Sequence, residues 1–329
     1  LFGGLFLWIG LSNRLTTTET VAAVQLAHAI TGTDDVRTHG AMAVYRAEGA
    51  DTPVGTAQGG ELLPDLGKGE GSTRRIVTTV LGEYRLEGYA QPPGLGMYRV
   101  VTSGADTSRL AAQATLDASG VTGTCGDNLA GGSDAVLATR RGRMTVQLTQ
   151  DGRFTADADS VMQPGQYLDA ALLDDVQDRR RRVLESLFSN RNWQNSLDQP
   201  QLLVWVNNWQ NGSEFGDDLL HQGDTLLVAP LKYSRPAAGT DVVIPSPLLN
   251  FVNRRPPDGS DPTGFWDDGR QEWQERSSPG ITWLSVQIPR VFLPIKATQV
   301  RVAIGVSGLM GRIEILGLKG DSIVSLQNI

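Results

Sequence analysis

One segment with helical periodicity stands between two long stretches of short β-type runs, and that contrast limits the chain more than any other feature. From Gln166 to Asn190 the apolar residues Leu168, Ala171, Leu172, Val176, Val183, Leu184 and Leu187 mostly recur at three and four, with Asp and Arg on the other face. Asp169, Asp174 and Asp175 come early and Arg179 to Arg182 late, the order that complements the helix dipole. The arginine cluster therefore reads as a solvated helix face.

On either side the texture is different. Ala41 to Thr155 contains AMAVYRA, RIVTTVL, EYRLEGY, GMYRVV and GRMTVQL, broken by Gly, Pro and Asp clusters. Trp193 to Ile329 adds QLLVWVNN, DTLLVAPLKY, TDVVIP, ITWLSVQIP and TQVRVAIGVS. In the last of these, Val300, Val302, Ile304 and Val306 fall on one phase and Gln299, Arg301, Ala303 and Gly305 on the other, the period of a strand packed on one side. GRIEILGL, past the turn at Gly308 to Gly311, is expected to pair with it as a hairpin. The expectation is a mainly β protein with two β-sandwich-like domains. Residues 32–165 form a small all-β domain with a Gly-rich loop, 166–192 an amphipathic linker helix, and 193–329 an antiparallel sandwich of jelly-roll or related topology.

The chain opens on LFGGLFLWIGL, an uncharged apolar run followed by Asn13 and Arg14. As a helix it rises about 16 Å, roughly half of a ~30 Å hydrocarbon core, so it reads as the tail of a truncated transmembrane anchor. Thr16 to Ile30, with hydroxyl residues at its start and Gly32 beyond its end, is expected to be a short juxtamembrane helix, closing an anchor region over 1–31. The remainder is then tethered and placed outside the cytoplasm.

Composition narrows the function classes. With 329 residues, 40% hydrophobic and 20% charged, the chain is globular and long enough for two domains. A net charge of −7 argues against nucleic acid, because neutralising phosphates needs a basic face. The single cysteine, Cys125, allows no internal disulfide, and with His28, His39 and His221 scattered along the sequence a zinc site is not expected. Gly60 to Gly69 has the wrong glycine spacing for a phosphate loop. Neither Gly-x-Ser-x-Gly nor His-Glu-x-x-His occurs, so no catalytic residue is assigned.

Six of the seven tryptophans lie beyond residue 192. In QLLVWVNN, Trp205 shares a phase with Leu203 and Asn207; in ITWLSVQIP, Trp283 shares one with Ile281, Ser285 and Gln287, in each case the more polar phase though not a purely polar one. An indole flanked by amides and hydroxyls suits a sugar ring, which stacks its C–H face and needs directional partners for its hydroxyls. The candidate ligand-binding set is Trp205, Asn207, Trp209, Trp266, Trp273, Trp283 and Gln287. Core packing of the same rings, under the helix or the long 254–279 loop, is the competing explanation. That loop also concentrates Asp258, Asp261, Asp267 and Asp268, oxygen ligands that suit Ca²⁺, although turn chemistry accounts for them without a metal and no cofactor is required. The reading is a membrane-tethered, non-catalytic structural or protein-interaction module at the cell envelope, whose partners are the membrane and envelope proteins or glycans. A carbohydrate-binding module is the alternative and a hydrolase the third class.

Overall fold

The computed structural model describes residues 19–301, apart from 31–32, 34, 49–53, 57–59, 65–74, 79–83, 88–90, 106–109, 164, 169–171, 191–192, 194–196, 208–212, 215–218, 256–263, 268–271, 276–282 and 297, together with 314–319 and 322–328. It divides into two units, Leu1–Leu293 and Pro294–Ile329. The apolar run Leu1 to Leu11 lies outside the described residues, and among those described no helix is long and apolar enough to cross a membrane.

The first unit is mainly β. Its principal sheet has 12 strands: β1 (Thr20–Ala29), β2 (Asp35–Arg46), β3 (Glu61–Pro64), β4 (Gly94–Ala105), β5 (Ala112–Leu116), β6 (Gly120–Cys125), β7 (Ser133–Thr139), β8 (Gly142–Thr145), β9 (Gln147–Leu148), β10 (Arg153–Asp157), β11 (Gln201–Asn207) and β12 (Leu220–Tyr233). The hydrogen-bonded order is β9-β10-β6-β5-β12-β1-β2-β4-β3, with β11 on β12, β7 on β11 and β8 on β7, and the sheet is not closed. A single turn of helix, α1 (Asp127–Ala130), precedes β7, and α2 (Asp175–Phe188) precedes β11.

β1 corrects the juxtamembrane helix expected over Thr16 to Ile30. It is a central strand, antiparallel to β2 and parallel to β12, and Val21, Ala22, Ala23, Val24, Gln25 and Ala27 are all buried. A strand covered on both faces reads as a continuous apolar run, and its small residues resemble a helix former until two neighbours claim its backbone. The pairings of β12 with β1 and with β5 are parallel, where an all-antiparallel sandwich was expected. They also cross the domain boundary expected at the helix: β11 and β12, from beyond α2, hydrogen-bond to β7 and β1, from before it.

Each face of this sheet has its own core. On one, Val21 and Ala23 of β1 meet Met42, Val44, Leu62, Tyr98 and Val100, and Tyr84 closes over them from a separate four-stranded sheet. On the other, Leu203 and Trp205 of β11, Leu226 and Val228 of β12 and Val136 and Ala138 of β7 lie under Leu184 of α2, with Val183, Leu187 and Phe188 partly buried beside it. Each fully buried leucine or valine here stabilises by about 1.5–3 kcal/mol.

The helix is shorter than its sequence pattern. Asp174 accepts from the backbone N–H of Gln177 at 2.7 Å while the Gln177 side chain accepts from the Asp174 N–H, a capping box that starts α2 at Asp175. Leu172, on the apolar stripe of the sequence, is 91% exposed ahead of it.

The arginine run is divided by the helical turn. Arg181 pairs with Asp178 and Glu185, and Arg182 with Asp178, on the surface. Arg180 points inward and is buried, which corrects the reading of the whole cluster as a solvated face. Its guanidinium donates to the Asp134 carboxylate at 2.7 Å, the Ser133 hydroxyl at 3.0 Å and the Asp224 carboxylate at 2.8 Å, and lies 5.3 Å from the Trp205 ring centroid. Burial opposes the charge, but the hydrogen bonds to Asp224 and Asp134 outweigh it and keep the group ionised.

In the second unit the described strands are Glu314–Lys319 and Ser322–Asn328, which pair antiparallel. Of GRIEILGL, the described residues Glu314–Leu318 thus pair with the segment after it. The expected partner, 299–306, lies outside the described residues beyond Arg301, and 298–301 are not in a strand.

Candidate interaction surface

The structure separates the tryptophans that the sequence grouped. Trp205 is only 1% exposed, on the sheet face that α2 covers, so it cannot act as an open platform. Its more polar strand phase is the one the helix needs, because Ser133, opposite Trp205 across β7, and Asp224, opposite Asn207 across β12, receive Arg180. Asn207 itself is exposed at the strand end. Trp209 lies outside the described residues, and of Trp273 only the backbone is described.

Trp266 and Trp283 occupy opposite faces of one small ribbon. Asn250–Arg254 and Trp283–Gln287 form a two-stranded antiparallel sheet in which Phe251 stands opposite Val286, Asn253 opposite Leu284 and Arg254 opposite Trp283. Directly opposed residues share a face, so Phe251, Asn253, Leu284 and Val286 form one face and Asn250, Val252, Arg254, Trp283, Ser285 and Gln287 the other. A second hairpin, Gly264–Asp267 with Glu272–Glu275, joins the first face. The Trp266 ring lies 5.1 Å from that of Phe251, and its backbone N–H donates to the Asn253 amide oxygen at 2.9 Å.

Trp266 does not seal that face. Leu284 remains 40% exposed and Val286 51% exposed. A two-stranded ribbon is marginal by itself in water, and this one is tied to the sheet at its other end, where Asn250 accepts from the Arg141 guanidinium and donates to Gln287 at 3.0 Å. The result is an apolar patch of Phe251, Trp266, Leu284 and Val286 with no charged side chain among its four members. Sequence periodicity marks Leu284 and Val286 as an inward strand phase. Nothing in it shows that this phase stays uncovered.

The remaining chemistry offers less. Asp267 is half-buried and accepts from the Gln274 amide at 3.3 Å, while Asp258, Asp261 and Asp268 lie outside the described residues. Among the described residues no three His, Cys, Asp or Glu side chains are grouped to hold a metal ion. Burial, and then the charge of Asp127, push the Cys125 thiol up to about 11, which keeps it protonated near neutrality. No protein-family model matches the chain, and no curated protein proves similar to it.

Proposed function

We propose that the chain is a non-catalytic structural module of the cell envelope, tethered through Leu1 to Leu11, that assembles with a second copy of itself through the open face of the 250–287 ribbon. The observation that carries this reading is the half-exposed pair Leu284 and Val286 beside Phe251 and Trp266. Exposed apolar side chains grouped on one face cost free energy in water that a matching surface recovers, at about 25 cal/mol per Å² buried. Two chains of −7 repel over most of their surfaces, so contact between like chains is confined to this neutral face, where it opposes no like charges. A two-fold contact is self-complementary and closes, the commonest arrangement of soluble oligomers.

The test is sedimentation velocity of the full chain over a hundredfold range of concentration, in neutral detergent so that Leu1 to Leu11 does not itself drive association. A dimer that Leu284→Glu and Val286→Glu each convert to a folded monomer supports the reading. A wild-type monomer throughout, or a dimer that both variants retain, overturns it.

The opposite face of the ribbon favours a second reading, a glycan-binding one. Trp283, Ser285 and Gln287 share that face, and Trp283 is half-buried rather than sealed. A saturable change in tryptophan fluorescence on adding envelope glycans, lost in a folded Trp283→Ala variant, would support it.

A further inference from the structure

Three adjacent strands of the main sheet bring together basic and hydroxyl side chains that lie far apart in sequence. His28 of β1 stands opposite Arg37 of β2, and Arg37 opposite Ser103 of β4. Two residues along β2, His39 stands between Leu26 and Val101. Opposed and alternate residues share a face, so His28, Arg37, His39 and Ser103 all belong to the same side of the sheet. The two imidazoles are stacked, 5.7 Å between centroids and 7° from parallel. His28 Nδ1 is buried with no hydrogen-bond partner, and among the described residues Arg37 has no carboxylate partner.

The electrostatics are one-sided. Burial first, then His39, then Arg37 hold the His28 ring below its ordinary value, and burial followed by Arg37 does the same for His39. Among the described residues, the charged groups of the flanking strands on this side are Arg99 of β4 and three carboxylates, Asp35, opposite Ala105, Glu61, opposite Val101, and Asp224 of β12, while Asp134 of β7 and Asp178 and Glu185 of α2 are paired with Arg180 and Arg181. Asp224 is committed to Arg180, and none of the three is among the charges acting on either ring. The neighbour of His28 on β12 is Val228, which carries no charge.

We propose that His28, Arg37 and His39, with Ser103 at the rim, bind a phosphate-type oxyanion. The Arg37 fork matches two oxygens of such a group, and each imidazole adds an N–H donor. The bound dianion supplies the negative charge this corner of the sheet lacks, and it favours the protonated imidazoles. Binding of the dianion therefore takes up protons at the imidazoles, and its affinity per dianion strengthens as pH falls through the histidine range. The site does not depend on the ribbon, so the two proposals stand or fall separately.

The test follows the histidine side-chain resonances of the full chain by NMR, with inorganic phosphate titrated against sodium chloride of equal ionic strength. Saturable shifts of His28 and His39 are expected with phosphate alone, and the affinity expressed per dianion should tighten at least about threefold between roughly pH 7.5 and pH 6, a range over which phosphate itself also takes up a proton. Arg37→Gln, at an exposed position, should weaken binding at least about tenfold with its backbone spectrum unchanged, and His39→Gln should remove most of the pH dependence. A parallel arm replaces inorganic phosphate with vesicles containing an anionic phospholipid, against zwitterionic ones. A response there alone assigns the oxyanion to a lipid headgroup, and a response to inorganic phosphate assigns it to a free ligand. Equal shifts with chloride, binding unaltered in Arg37→Gln, or no response in either arm overturns the proposal.

Discussion

Arg180 reaches from α2 to the carboxylate of Asp134 across 2.7 Å, and Asp134 can receive it only because β7 is bulged there. Three steps along β7, Ser133 to Val136, span two along β11, Trp205 to Leu203, and Asp134 takes a left-handed φ of 47° in the extra position. A bulge of this kind re-aims a side chain, here toward the helix and away from the strand pairing. Tyr167 lies within the same buried group, where burial and then the charge of Asp134 raise its phenol above the ordinary value.

Removing the Arg180 guanidinium leaves Asp134 and Asp224 without their cation. Arg180→Met should lower stability by about 3–5 kcal/mol in urea unfolding. The triple variant with Asp134→Asn and Asp224→Asn should recover much of that loss, because no uncompensated buried charge remains. A single variant as stable as the parent would show that α2 is held by apolar packing alone.

Stability should fall in mild acid through His28 and His39. Both folded-state values lie below 6.5 and the unfolded values near it, so the stabilisation is fully present above about 6.5 and is lost as pH falls toward the folded values. Urea midpoints in phosphate-free buffer should decline in that window, and the His28→Gln/His39→Gln variant should flatten the decline. An unchanged slope in the variant would assign the acid sensitivity to other groups.

Gly223 is the position in β12 least tolerant of a side chain. Its φ is 150°, and an added Cβ would stand 2.1 Å from the Ala23 carbonyl oxygen of the paired strand. Gly223→Ala should cost at least about 2 kcal/mol and reduce amide-exchange protection in β1 as well as β12. Protection lost in neither strand would show that the pairing relaxes around the methyl group.

Cys125 should react slowly while the protein is folded. A thiol pushed up to about 11 carries little thiolate at pH 8, so alkylation by iodoacetamide should be at least about tenfold slower in the native chain than in urea. Equal rates in the two states would contradict the burial that raises it.

Much of the local structure was legible in the sequence. The stripe of Val183, Leu184 and Leu187 announces α2 and faces the sheet, but the periodic pattern runs on ahead of the capping box that starts the helix at Asp175. Alternation marked the Trp283–Gln287 strand, while β11 and β12, buried on both faces over Leu202–Trp205 and Thr225–Ala229, were marked by short apolar β-type runs. β1 hid its state, since a strand buried on both faces alternates nothing.

The sequence by itself determined the mainly β character, the one long helix and which residues of each strand share a phase, because these depend on neighbours a few positions apart. Only the tertiary structure decided what covers each phase. Trp205 went under α2 and Leu284 and Val286 stayed half-open, though all three sit in strands of similar pattern. It also decided that Arg180 turns inward to a bulged aspartate and that His28, Arg37 and His39 meet. Burial and charge pairing depend on segments distant in the chain, and no local period records which of them will arrive.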